Sequence, residues 1–249
     1  MSGHSKWATI KHKKAATDAK RGRIFTRLIR EIAIAARAGS DPNTNARLRT
    51  AIAAAKNENM PSDNIERAIL RGSGQLEGET LEEINFEGYG PGGVGLIVSV
   101  VTSSRNRTIS EIRHLLGKNG GNLAESGAVG WMFERKGELI VPKDQADEDK
   151  LMGIVLDAGA EDLKDDGDQW DIITPPESFE TVREAVTKAG IKPATAEIAM
   201  VPKNYVKLRG QQAQQMIRLI DSLEEHDDVQ HVWANFDVDE KELQTATAD

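Results

Sequence analysis

The spacing of apolar residues changes once along this chain, and that change constrains the fold more than any other feature. Up to residue 72 they recur every three or four positions; beyond residue 80 short apolar runs alternate with helical stripes. Phe25, Leu28, Ile29, Ile32 and Ala36 form the first stripe, in a helix read from Arg21 and ended by Gly39, with Asp41-Pro42 as the turn. Leu48, Ile52 and Ala55 form a second, over residues 45–57. Ser62 reads as the cap of a third, which holds Ile65, Ala68 and Ile69 and is stopped by Gly72. Three helices of this length bury only a modest aliphatic core.

Residues 72–80 carry glycine and glutamate and read as a linker. Leu81, Ile84 and Phe86 then begin a strand, and residues 95–102 (Gly-Leu-Ile-Val-Ser-Val-Val-Thr) predict a central one. Thr108 with Glu111 is read as a capping box opening a helix with Ile109, Ile112, Leu115 and Leu116 inward. A further strand is read over residues 128–133. From 137 to 202 the order is βαββαβ, the ferredoxin-like arrangement. A helix over 211–225 and a strand over 229–238 follow. The fold class is α+β: an N-terminal three-helix domain followed by two α/β sandwich domains, one ferredoxin-like and inserted in the other. The expected units are 1–76, 77–136 with 203–240, 137–202, and an acidic tail, 241–249.

Charge divides the chain in the same place. Residues 1–71 hold 15 Lys/Arg against 6 Asp/Glu, and residues 72–249 hold 17 against 34. The first thirty residues alone hold Lys6, Lys11, Lys13, Lys14, Lys20, Arg21, Arg23, Arg27 and Arg30, with Asp18 the single acid and Trp7 the single tryptophan. A basic run with one tryptophan suits a polyphosphate backbone and an occasional base to stack on. The acidic remainder would repel phosphate, which confines contact to one end.

Cysteine is absent, which excludes disulfides and thiolate chemistry. No apolar stretch approaches the roughly 18–20 residues of a membrane span. The N-terminus lacks the apolar core of a secretory signal, and a cytoplasmic protein is expected. His4, His12, His114, His226 and His231 form no metal-spaced pair, and Asp162, Asp165, Asp166 and Asp168 miss the calcium-loop pattern; tight turns account for them. Residues 88–95 are glycine-rich but join two strands and lack a following Gly-Lys-Ser/Thr, so a turn is expected there rather than a phosphate loop. Arg105 and Arg107 flank a helix start, where free N–H groups and two guanidinium groups could hold an anion; the alternative is pairing with the acidic body. No cofactor, metal or catalytic residue is expected.

Several motifs together resemble the YebC/PmpR family: Gly3-His4-Ser5-Lys6-Trp7, Lys14 to Gly22 with Phe25, Asn59-Met60-Pro61, Tyr89-Gly90-Pro91-Gly92-Gly93, Arg105-Asn106-Arg107-Thr108, Lys118 to Asn122, and Asp228-Val229-Gln230. That resemblance implies a three-domain, cytoplasmic, non-enzymatic regulator of gene expression, of the DNA-binding transcriptional kind; the mitochondrial translational activator in the same family points instead to ribosomal RNA, the ribosome and relief of stalling. One departure is Thr102-Ser103-Ser104, where the family often has Thr-Asp-Asn. The expected partner is nucleic acid, either promoter DNA or ribosomal RNA, with no membrane and no small-molecule substrate. The candidate contact residues are Lys6, Trp7, Lys11, Lys13, Lys14, Lys20, Arg21, Arg23, Arg27, Arg105 and Arg107. A protein-interaction scaffold docking on basic partners is the third reading.

Overall fold

A computed structural model describes residues 18–239, with side chains from residue 22 onward. Helices α1 (Asp18–Ala36), α2 (Ala46–Asn57) and α3 (Ser62–Gly72) form the first module. The expected stripes converge: Ile32, Ala35, Leu48, Ala51, Ala55, Met60, Ile65 and Ala68 are buried together, with Phe25, Leu28, Ile29, Ile52 and Ile69 at the margin. Asn45 caps α2, accepting from the Leu48 N–H at 3.1 Å while its amide donates to the Ala35 and Gly39 carbonyls, both at 2.7 Å. One side chain thus closes the end of α1 and opens α2.

Two expectations about α3 change. Its N-cap is Pro61, not Ser62, and makes no side-chain capping bond. Gly72 lies within the helix, and its role is close approach: a Cβ there would stand 2.1 Å from the Ala33 carbonyl oxygen. The last turn of α3 therefore rests on the backbone of α1, which only a residue without a side chain permits.

The second unit is a four-stranded antiparallel sheet in the order β3 (Asn122–Leu123), β1 (Glu82–Tyr89), β2 (Gly95–Thr102), β9 (Val229–Ala234). Strand β2 is central and buried along its whole length. Leu96, Val98 and Val100 turn toward helices α4 (Arg105–Lys118) and α7 (Gly210–Glu224), where Ile112, Leu116, Met216, Ile217, Ile220 and Leu223 complete the core. Ile97 faces the other way, against Val129 and Phe133, as strand alternation requires. The β1–β2 connection is a tight turn, with Gly92 at φ 74°. The strand expected over 229–238 is broken at Asn235, whose Oδ1 accepts from the Gly95 N–H at 2.7 Å. Beyond it β10 (Phe236–Val238) leaves the sheet to pair in parallel with β8 (Val206–Leu208).

Of the strand expected over residues 128–133, only Phe133 is in one, as the first residue of the next strand; residues 128–132 are not a strand. The Glu87 carboxylate accepts the N–H groups of Gly127, Val129 and Gly130 at 2.7–2.8 Å, which coils the segment into a 3₁₀ turn over Gly130–Met132. Burial opposes ionisation of Glu87, but these three donors hold its carboxyl below the ordinary range. The coil leaves Trp131 64 % exposed.

Strand β4 (Phe133–Pro142) then enters the third unit, followed by α5 (Glu148–Asp157), β5 (Asp162–Asp166), β6 (Gln169–Thr174), α6 (Phe179–Lys188) and β7 (Thr195–Pro202). The antiparallel order β5-β6-β4-β7 is the ferredoxin-like sheet. Its entry and exit strands are neighbours, with Phe133 opposite Pro202, so this unit leaves and rejoins the surrounding chain at one edge.

Candidate nucleic-acid interface

Lys6, Trp7, Lys11, Lys13 and Lys14 lie outside the described residues, and the side chains of Lys20 and Arg21 do as well. What is described is how the basic face of α1 meets the acidic body. Arg23 stands 3.8 Å from Glu225. Arg27 is desolvated, which lowers its pKa, while Glu224 and Asp227 act in the opposite sense. Arg30 pairs with Asp228 at 2.8 Å and also donates to the Asp227 carbonyl.

Asp228 is the centre of this seam and is 1 % exposed. Its Oδ2 accepts from Thr108 Oγ1 at 2.6 Å and from Arg107 Nη2 at 2.7 Å, and its Oδ1 meets Arg30. Burial by itself would raise the carboxyl; the bonds from Thr108 and Arg107 and the charge of Arg30 outweigh it and lower the pKa to about 2. One carboxylate therefore ties α1, the start of α4 and the start of β9.

This geometry revises the role of Thr108. Helix α4 begins three residues earlier, at Arg105, and Ser104 is its N-cap without a side-chain capping bond. Thr108 points inward, its hydroxyl 2.9 Å from that of Thr102. Thr102 in turn accepts from the Ser104 N–H at 2.9 Å, so the Thr-Ser-Ser start is held by the threonine. Arg107 is turned to Asp228 and Glu111, leaving one of the two arginines named for an anion site engaged within the protein; Arg105 is exposed.

Glu111, His226 and Asp228 offer ligand atoms within 4.8 Å of one another. They do not suit a cation. Both Asp228 oxygens face arginine, and His226 Nε2 lies 2.8 Å from Glu111 while its Nδ1 accepts from the Asp228 N–H. The adjoining cleft, about 370 Å³, is lined by Ser110, Glu111, His114, Leu115 and His226. The Ser110 hydroxyl donates to the Asn106 carbonyl rather than to an imidazole, so no nucleophile–base contact forms there.

In the sequence Asp228 stands out only as part of a motif, and Arg30 only as one of a run. The signal available is an Asp-Asp pair ahead of a buried strand, in the same chain as unmatched arginines on an apolar helix. The second seam is not legible at all: Arg47 donates to Glu31 at 2.8 Å and to Glu83 at 2.6 Å, and Thr50 donates to Glu180 of α6 at 2.6 Å. Among the described residues no helix is long and apolar enough to cross a membrane.

Helices first, then one sheet-bearing unit clasped to them through a buried acid and a second that meets them through Thr50 and Glu180, define a mixed helix-and-sheet protein of modular build. Residues 5–75 match the TACO1/YebC protein N-terminal domain, and residues 81–236 match the TACO1/YebC second and third domain. The chain belongs to the TACO1/YebC family. It is 62 % identical over 244 residues, 98 % of each chain, to a probable transcriptional regulatory protein of Koribacter versatilis, and equally to one of Solibacter usitatus. A crystal structure of a conserved hypothetical protein from Aquifex aeolicus superposes with a TM-score of 0.86 at 48 % identity, covering 94 % of this chain and 98 % of that one.

Proposed function

We propose that this protein is a non-enzymatic, nucleic-acid-binding regulator of gene expression whose contact is made by the basic arm ahead of α1. The observation that carries this is the fate of the α1 arginines. Arg23, Arg27 and Arg30 face Glu225, Glu224, Asp227 and Asp228, so the positive charge of the lower part of α1 is neutralised within the molecule. The excess that distinguishes residues 1–71 then falls to Lys6, Lys11, Lys13, Lys14, Lys20 and Arg21. A cluster of six cations with one tryptophan neutralises phosphates and stacks on a base without reading sequence.

The relatives' description as probable transcriptional regulatory proteins favours DNA as the polymer. Ribosomal RNA is the second reading, and one observation favours it. The arm offers charge but no set of base-reading Asn, Gln or Arg on a helix shaped for the major groove, which suits recognition of backbone and shape.

The test is the salt dependence of binding to both polymers. Replacing Lys11, Lys13, Lys14, Lys20 and Arg21 by alanine should weaken binding alike across sequences. It should also lower the slope of log affinity against log salt by about 4.5, at roughly 0.9 for each phosphate that is no longer neutralised. An unchanged slope removes the arm as the contact. Cross-linking in cells with sequencing of bound DNA and RNA then separates promoter from ribosome.

A further inference from the structure

The 3₁₀ turn ahead of β4 divides its apolar side chains between inside and outside. Val129 and Phe133 are buried with Ile97, and Met132 packs against them, whereas Trp131 stays 64 % exposed. The turn that carries it is fixed. Glu87 accepts three of its N–H groups, and the Ala128 carbonyl accepts from both Trp131 Nε1 at 3.0 Å and Tyr89 Oη at 3.2 Å. The single polar atom of the indole is thereby turned back onto the protein, and the ring itself is the outward surface.

The surroundings of Trp131 are cationic rather than apolar. The Met132 carbonyl accepts from the Lys203 N–H at 2.9 Å, which sets the chain leaving β7 beside the turn. From there residues 202–220 carry Lys203, Lys207, Arg209 and Arg218 and no acid, although acids outnumber cations 34 to 17 over residues 72–249. Lys203, Lys207 and Arg209 are exposed, and extended chain keeps all three within about 20 Å of one another. Of the nearby acids, Glu87 is engaged by the backbone, Glu134 lies 4.0 Å from both Lys136 and Lys203, and Asp237 stands opposite Lys207; Glu125 is exposed. The other large apolar side chains exposed among the described residues are Leu70 on α3, Leu76 just beyond it and Leu156 on α5. A protein-docking patch would set further apolar groups around the tryptophan. A nucleobase needs a π-face, with cations for the phosphates on either side.

We propose that Trp131 is a stacking platform for an unpaired nucleobase, and that Lys203, Lys207 and Arg209 hold the phosphates flanking it. This is a second nucleic-acid contact, on the acidic body itself. Helix α7 separates it from α1: Arg209 is the N-cap of α7, and Arg23 of α1 meets Glu225 at the other end, about 22 Å away along the helix. Stacking requires a base that has left its duplex, so this contact selects single strands, loops and bulges. A run of cations without a ring grips paired and unpaired strands alike. The inference rests on the reading of the protein as a nucleic-acid binder, but not on the arm being a contact.

The test uses the full chain with labelled single-stranded oligouridine and oligothymidine and a blunt duplex, read by fluorescence anisotropy. Trp131→Ala should bind the single strands about tenfold more weakly, the loss of one stacked base, with an unchanged salt slope and unchanged duplex affinity. Trp131→Phe should recover most of that loss. Lys203→Ala/Lys207→Ala/Arg209→Ala should lower the single-strand salt slope by about 2, at roughly 0.7 for each phosphate; an unchanged slope removes these cations from the site. In the unsubstituted protein, iodouracil placed in the oligonucleotide should photo-cross-link to Trp131, and cross-links confined to other residues overturn the proposal. Parent-like single-strand affinity in Trp131→Ala overturns it, as does equal weakening on single strand and duplex. A parent dimer that Trp131→Ala dissolves, at unchanged oligonucleotide affinity, gives the ring to a second copy and overturns it too. The arm is judged separately. Alanine at Lys11, Lys13, Lys14, Lys20 and Arg21 lowering the slope, while Trp131→Ala binds as the parent does, sinks this inference alone. No affinity of the parent for either polymer sinks both.

Discussion

Replacing Asp228 by asparagine tests the seam between the helical module and the body. The substitution preserves shape and removes the charge that Arg30, Arg107 and Thr108 converge on. The carboxyl falls from 3.8 to about 2, which through proton linkage corresponds to about 2 kcal/mol of stability at neutral pH. Leaving the Arg30 charge without its counter-ion adds to this, so the expected loss is about 3 kcal/mol. For a chain of 249 residues that lowers the melting temperature by roughly 6–12 °C. The sign with pH follows from the depressed value. The contribution is fully present above the unfolded-state pKa and is lost as pH falls through the folded one. The difference between parent and Asp228→Asn, measured by urea unfolding, should therefore be constant from pH 7 to 5 and shrink between pH 4 and 2. Equal stabilities at pH 7, or a difference that does not shrink in acid, would show that the carboxylate does not hold the seam.

Asn45→Ala should cost about 1–2 kcal/mol, since a single amide side chain caps α2 and bonds two carbonyls at the end of α1; calorimetry on the parent and variant checks it. Gly72→Ala should cost about 3 kcal/mol, because the added methyl must push α3 off the Ala33 carbonyl; a variant as stable as the parent would contradict the close approach. Ser104→Asp should stabilise by about 0.5–1 kcal/mol by supplying the side-chain cap that α4 lacks, read as a raised urea midpoint at unchanged slope.

Much of this fold is legible in the sequence because burial leaves a period. The three helical stripes, the uninterrupted run of β2 and the βαββαβ order all follow from which residues must leave water, and a local pattern records that. Boundaries depart from the local pattern where a distant group decides them. Glu87 coils residues 127–130 from forty positions away, and Asn235 ends β9 by binding Gly95. Thr108 has the spacing to Glu111 of a capping residue, yet its hydroxyl is claimed by Asp228, 120 residues on.

The same division holds for charge. The sequence by itself determined that a basic head precedes an acidic body, since net charge is additive and needs no geometry. Which cations remain available was decided only in three dimensions. Folding brings Glu224, Glu225, Asp227 and Asp228 against α1 and engages Arg23, Arg27 and Arg30, because Coulomb attraction and desolvation depend on distances of a few ångströms that no linear spacing encodes.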